Sequence, residues 1–393
     1  MLLNDSGNVV PNADGPRGLG WSVRCVQSYT ITFKTNNAAG IVFNGITYTD
    51  GQTVAIPIAD AGVKKFSIYG AYDTRYAFSS WSKTAGSFDN QSLQNTTYTV
   101  TGDATITLTG QYVSTTMQNL GLSNCTTTAR PVYDTRDNSV YWIKRLADNK
   151  CWMLDNLALD ISNTTIRNSL STSNTNATTA SLNSLKGTSV RNPITDPDGP
   201  YSTAAVSTSW DGERYTIPIA DPRNNNATYI PGNASVYSNA KQGFFGAGKG
   251  KGGLYYNYCA ASAGSYCYNE DKGIGDATED ICPAGWKMPT SYPQGDFWNL
   301  CSSLKGSSCN ENANQSEQMD ANDTNSVQYQ LSITLTGGIY SGGYPVNSSI
   351  YLWSSSRRGY GAMYYFVAYE DVIATQNMDP RDIGRSVRCI LGN

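Results

Sequence analysis

A β-rich α+β fold spread over more than one domain is the class this sequence predicts, and three observations carry it. Apolar and polar residues alternate with period two through Tyr29-Thr30-Ile31-Thr32-Phe33 and Thr105-Ile106-Thr107-Leu108-Thr109, as half-buried strands do. One segment alone carries a clear helical stripe. After Asp296, the expected N-cap, Phe297, Leu300, Cys301 and Leu304 fall at i, i+3, i+4 and i+7, and Gly306 stops the run. Finally, 393 residues exceed one ordinary core and suggest two or three domains.

In chain order, residues 1–27 carry an internal echo. Pro16-Arg17-Gly18-Leu19-Gly20-Trp21-Ser22-Val23-Arg24-Cys25-Val26 returns as Pro380-Arg381-Asp382-Ile383-Gly384-Arg385-Ser386-Val387-Arg388-Cys389-Ile390, with seven of eleven positions identical. The second copy closes the chain, so the first is expected to close a preceding domain of which 1–27 is the remnant. Residues 28–113 read as a separate β unit, punctuated by turns at Gly40, Asp50-Gly51 and Gly102-Asp103. Residues 114–393 hold eight of the nine cysteines. Within them, Val132 to Ile143 predicts a hairpin turning at Asp137-Asn138. Residues 161–240, rich in Ser, Thr and Asn, predict long surface loops with short strands. Beyond the helix, Tyr329–Thr336 and Ser349–Ala368 read as strand and turn.

Composition narrows the function. The chain has no histidine, which removes the usual general base, the Ser-His and Cys-His pairs and the commonest zinc ligand. No enzyme activity, metal or cofactor is expected. Charged residues are 15% and the net charge is −3, so no basic stripe is present to neutralise phosphates and no nucleic-acid partner is expected. Tyr, at 27 residues against 9 Phe, supplies rigid contact area with a polar tip, which suits both binding surfaces and packed sheets. The cysteines form no C-x-x-C pair; spaced through a loop-rich chain, they read as disulfides outside the cytosol. No apolar run of membrane-spanning length and no signal core occurs, so a secreted or surface location implies an export signal and anchor outside this chain.

Several motifs are set aside. Gly243-Phe244-Phe245-Gly246-Ala247-Gly248-Lys249-Gly250 approaches a P-loop, but Gly250 stands where a hydroxyl should meet magnesium. Asp196-Pro197-Asp198-Gly199 and Asp320-Ala321-Asn322-Asp323 offer oxygens, yet neither fits an EF-hand loop, and turns account for both. Sequons such as Asn95, Asn163 and Asn233 follow from the composition. Trp152, Trp286 and Trp353 sit in apolar contexts and are expected in the core.

Two resemblances refine this reading. Tyr76-Ala77-Phe78-Ser79-Ser80-Trp81-Ser82 and the closing Thr101-Gly102-Asp103-Ala104-Thr105-Ile106-Thr107 resemble the internalin-type B-repeat family, which implies a small β-grasp-like spacer with its tryptophan in the core. Leu146 to Leu157, containing Lys150-Cys151-Trp152-Met153, then Cys282-Pro283-Ala284-Gly285-Trp286-Lys287-Met288-Pro289-Thr290, Leu352-Trp353-Ser354-Ser355-Ser356 and Gly384 to Cys389, resemble the Fibrobacter succinogenes major paralogous domain family. That resemblance implies a C-type-lectin-like domain over 114–393, displayed outside the cell. The same fold carries copper-using formylglycine-generating enzymes, whose reactive cysteine is not marked here. It also carries the variable proteins of diversity-generating retroelements, whose variation falls near the C-terminus. The Glu-Pro-Asn and Trp-Asn-Asp signatures of calcium-dependent sugar binding are absent.

The expected binding face is the stretch before the closing strand: Arg357, Arg358, Tyr360, Tyr364, Tyr365, Tyr369, Glu370, Asp371, Gln376 and Asn377 mix aromatic and hydrogen-bonding side chains as a paratope does. By spacing, Cys259 with Cys267 and Cys301 with Cys309 would staple local loops. The lectin-type resemblance implies that Cys389 bridges back to an earlier element, with Cys282 the candidate. Cys125 would then pair with Cys151, although exchange among these four satisfies the same count, and Cys25 is left over. The expectation is a cell-surface adhesin binding an extracellular protein or glycan, without direct membrane insertion; the alternative is a structural envelope array protein without a specific ligand.

Overall fold

The computed structural model describes residues 2–3, 9–10, 27–36, 40–71, 75–92, 94–159, 161, 163–186, 255–256, 258–266, 274–291, 294–305, 317–318, 327–331, 338–339, 345–346, 350–359, 362–368, 372–380 and 384–392. The chain is β-rich with few helices, as expected. Near its start, β1 (Leu2–Leu3) and β2 (Val9–Val10) pair antiparallel. The first copy of the echo, residues 16–26, lies outside the described residues, as do the glycine-rich 243–250, the acidic turns 196–199 and 320–323, Asn233 and Gly306.

Nine strands follow: β3 (Ser28–Asn36), β4 (Gly40–Phe43), β5 (Ile46–Tyr48), β6 (Thr53–Pro57), β7 (Lys65–Ala71), β8 (Tyr76–Lys83), β9 (Ser87–Phe88), β10 (Asn95–Thr99) and β11 (Ala104–Tyr112). They build two sheets, ordered β6-β3-β11-β8 and β5-β4-β7-β10-β9. The strands β3 and β11, far apart in sequence, lie parallel at the centre of the first, with Ile106 opposite Phe33. Period two then does its work. Ile31, Phe33, Ile106 and Leu108 meet Ile41, Phe43, Phe66 and Ile68 in one buried cluster that also holds Trp81. Each such side chain contributes roughly 1.5–3 kcal/mol by leaving water. Gly40, expected in a turn, instead opens β4; a Cβ there would lie 2.9 Å from the Tyr48 carbonyl oxygen.

The remaining strands are β12 (Arg130–Tyr133), β13 (Val140–Arg145), β14 (Cys151–Met153), β15 (Tyr255–Tyr256), β16 (Gly275–Asp276), β17 (Trp286–Lys287), β18 (Glu317–Gln318), β19 (Gly338–Ile339), β20 (Pro345–Val346), β21 (Ile350–Gly359), β22 (Ala362–Ala368), β23 (Val372–Pro380), β24 (Arg385–Ser386) and β25 (Ile390–Leu391). One sheet runs β12-β13-β14-β25-β17; the other runs β15-β24-β21-β22-β23-β18 with β16 on β21, and β19 pairs β20. The hairpin β12–β13 forms where expected, with Tyr133 opposite Val140 and Asn138 in the left-handed region at φ 59°. Its turn buries an ion pair, Arg136 Nη2 to Asp134 Oδ2 at 2.6 Å.

Trp152, Trp286 and Trp353 are fully buried, as expected. Cys125 bridges Cys151 and Cys282 bridges Cys389, with Cα separations of 6.0 and 5.8 Å. These coincide with the expected pairs. Cys301 is disulfide-bonded as well. Cys25, Cys267 and Cys309 lie outside the described residues, and Cys259 contributes its backbone to the helix Tyr258–Ala261.

The helix Asp296–Lys305 buries Phe297, Leu300 and Cys301, and the Phe297 ring stacks 4.8 Å from Phe366 of β22. Asp296 occupies its first helical position and is not the cap, because Gly295 supplies the carbonyl that receives Asn299 N–H at 2.9 Å. The Asp296 carboxylate instead accepts from the Thr290 N–H (2.8 Å) and from Lys150 Nζ. Gly295 is required there, since a Cβ would come within 2.4 Å of the Thr290 backbone. Two further expectations are corrected. Described residues 163–186 hold two short helices, Thr164–Ser169 and Thr179–Lys186, in place of loop, and Val327–Gln330, which overlaps the segment expected as strand and turn, is a short helix. Asn163 caps the first, its Oδ1 accepting from Thr165 and Ile166 N–H.

Candidate ligand-binding site

The expected binding face falls on the meander β21-β22-β23, and the structure divides its residues sharply. Tyr360, Tyr369, Glu370 and Asp371 lie outside the described residues. Tyr364, Tyr365 and Gln376 are buried, so they do not form an open contact face. Both sides of β22 are covered: Tyr365 and Val367 enter one core cluster, Phe366 and Ala368 the other. Tyr365 meets Trp353 edge-on at 6.4 Å and Tyr351 at 5.7 Å, which makes it a core residue. Asn377 is half-buried and its Oδ1 accepts from the Met378 N–H at 3.1 Å. Arg358 is exposed, with Nη1 3.1 Å from the Met378 sulfur.

Arg357 lies at the end of β21, where the pairing is irregular. The β21–β22 ladder is irregular between Trp353 and Arg357, and again between Arg357 and Gly359. Such irregularities re-aim side chains and are frequent beside functional sites. The serines across the first irregularity are all engaged. Ser354 Oγ donates to the Tyr364 carbonyl (2.9 Å), and the Ser355 carbonyl accepts from Tyr258 Oη (2.9 Å) and Ala277 N–H (2.7 Å). Ser356 Oγ accepts from Ser291 N–H at 2.9 Å and donates to Asp276 Oδ1 at 2.7 Å. Burial pushes the Tyr258 hydroxyl pKa well above the usual range, so it stays a donor.

Arg357 itself is only 9% exposed. Its guanidinium lies 3.8 Å from the centroid of the Tyr266 ring, close enough for a cation–π contact. Among the described residues no carboxylate pairs with it, and its buried Nε meets no acceptor. Opposite it on β16 stands Gly275, where a side chain would enter open space.

Sequence reasoning missed the buried charges of the closing segment. Arg388 donates from Nε to Asn156 Oδ1 at 2.7 Å and from Nη1 to the Leu331 carbonyl, and burial lowers its pKa to about 10. Arg385 pairs with Asp379 and lies 4.1 Å over Tyr351. The signal was the echo itself, since Arg388 stands between the apolar Val387 and Cys389 as Arg24 stands between Val23 and Cys25.

No group of three or more candidate metal ligands occurs among the described residues. No helix among them is long and apolar enough to cross a membrane. The disulfides fit a non-cytoplasmic protein. No family model matches the chain, and no curated protein and no solved structure matches it significantly.

Proposed function

We propose that the chain is a secreted or cell-surface ligand-binding protein without catalytic activity, in which 114–393 is a head resembling the C-type-lectin fold and 28–113 a B-repeat-like spacer. The observation that carries this reading is the stapled, irregular end of β21, where a covered sheet brings Arg357, Tyr266, Tyr258 and Asp276 together at one edge. The sheet supplies rigidity, and the irregular ladder supplies a place where side chains leave the regular pattern. The order β6-β3-β11-β8 with parallel central strands, and Trp81 in the core, support the grasp-like spacer. The absence of histidine from the whole chain supports a binding role over an enzymatic one.

The test is a saturation-binding screen of the folded chain on arrays of glycans and purified extracellular proteins. Saturable binding that disappears when the disulfides are reduced supports the reading. Absence of saturable binding, together with concentration-dependent self-assembly in light scattering, favours the envelope array protein instead.

A further inference from the structure

Four arginines are buried among the described residues: Arg136, Arg357, Arg385 and Arg388. Three have internal partners that account for their burial. Arg136 pairs with Asp134, Arg385 with Asp379, and Arg388 hydrogen-bonds to Asn156 and the Leu331 carbonyl. Arg357 has none of these. Its cationic face rests on Tyr266, but its in-plane N–H donors find no protein acceptor among the described residues. Taking a charge out of water without a partner is costly, and one aromatic face offsets only part of that cost.

No ion pair joins Arg357 to a carboxylate among the described residues. Asp276, one residue along the paired strand, is held on Ser356 Oγ at 2.7 Å. The neighbour of Arg357 on β16 is Gly275, and the space a side chain would fill there is open, whereas its neighbour on β22 is the buried Met363. Direct cross-strand neighbours sit close enough for their side chains to touch. The geometry therefore places an unoccupied position within reach of a guanidinium that no carboxylate among the described residues pairs.

We infer that Arg357 is the anion-recognition group of the head and takes a carboxylate carried by the ligand. This inference rests on the ligand-binding reading above and names the chemistry of that site. A guanidinium over a ring face directs its donors outward in its own plane, and a carboxylate matches that planar fork with two parallel hydrogen bonds. A single buried cation balances a single negative charge. A phosphate dianion calls for a second cation, and the neighbouring Arg358 is turned to the Met378 sulfur. The carboxylate can belong to an acidic sugar or to an amino acid, and both sources share this chemistry.

The experiment follows the side-chain Nε–Hε resonance of Arg357 in the full chain by NMR, assigned by its loss in Arg357→Lys. Sodium D-glucuronate and N-acetylglycine are titrated separately at constant ionic strength, with D-glucose and inorganic phosphate as further arms. The expected result is a saturable shift with one or both carboxylates, none with glucose, and the weaker of the two sources identified by its higher midpoint. Tyr266→Leu, which keeps the arginine but removes its platform, should raise that midpoint by roughly tenfold as the fork loses its orientation. The inference is overturned if neither carboxylate shifts Arg357, if Arg358 shifts equally and without saturation, or if phosphate acts at lower concentration than both. Should the array screen show saturable binding that Arg357→Lys retains, the carboxylate inference fails while the binding head stands. Should the screen show none, the reading beneath it fails as well.

Discussion

The guanidinium of Arg75 lies 4.0 Å from the ring centroid of Tyr133, across the junction between the 28–113 unit and the strands that follow it. It also lies 4.8 Å from the ring centroid of Tyr112. Arg75 N–H donates to the Asn138 carbonyl at 3.2 Å, and the Arg75 carbonyl accepts from Val113 N–H at 2.8 Å. Beneath this stack Ala77 and Val113 pack against Val140. The loop before β8 thus docks on the turn of the β12–β13 hairpin, and the joint is stacked and hydrogen-bonded.

Arg75 sits at φ 65°, so Arg75→Gly deletes the guanidinium while keeping a backbone that glycine adopts freely. The distance distribution between cysteine-independent spin labels at Lys83 and Lys287 should be narrow in the wild type and broad in this variant. A distribution that stays narrow would show that the apolar contact at Val140 holds the joint unaided.

Asp280 makes stability depend on pH. Burial raises its carboxyl pKa to about 6, against the opposing hydrogen bonds from Met288 N–H at 2.7 Å and Cys282 N–H at 2.9 Å. An unfolded chain releases the same proton near pH 4, so between the two values the folded state binds more protons. The contribution is therefore complete below about pH 4 and lost as pH rises through about 6, on the order of 3 kcal/mol. Asp280→Asn removes the titration while setting an amide N–H against one of the two donors, so it destabilises at every pH. Urea unfolding should show the gap between wild type and variant shrinking from pH 4 to pH 7. A gap that widens would place the Asp280 pKa below its ordinary value.

The bridge between Cys282 and Cys389 spans 107 residues of sequence, and that between Cys125 and Cys151 spans 26. Loop-closure entropy assigns about 4–5 kcal/mol to the first and about 3–4 kcal/mol to the second. Replacing both members of each pair by Ala should lower the urea midpoint more for Cys282 with Cys389. The reverse ranking would mean that chain entropy is not what these bridges chiefly supply.

Local pattern made much of this protein legible. The hairpin from Val132 to Ile143 follows from alternation and an Asp-Asn turn, and the helix Asp296–Lys305 from apolar residues three and four apart. The three buried tryptophans follow from their apolar neighbours. The errors cluster where a residue's role depends on a distant segment. Asp296 looks like a cap until Gly295 approaches the Thr290 backbone. Tyr364 and Tyr365 look like surface residues because their polar tips suit water. They are buried because β22 is central in its sheet and both of its faces are covered.

Backbone propensity and side-chain periodicity act over a few residues, so a single chain read in order reveals strands, turns, the helix and the class of fold. Burial is set by what packs from elsewhere, and no local pattern carries that information. Arg357 and Arg388 illustrate the division, since both are arginines and both are buried. Arg388 is matched by Asn156, more than two hundred residues earlier in the chain, and becomes part of the core. Arg357 meets Gly275 and the face of Tyr266, and no carboxylate among the described residues pairs with it.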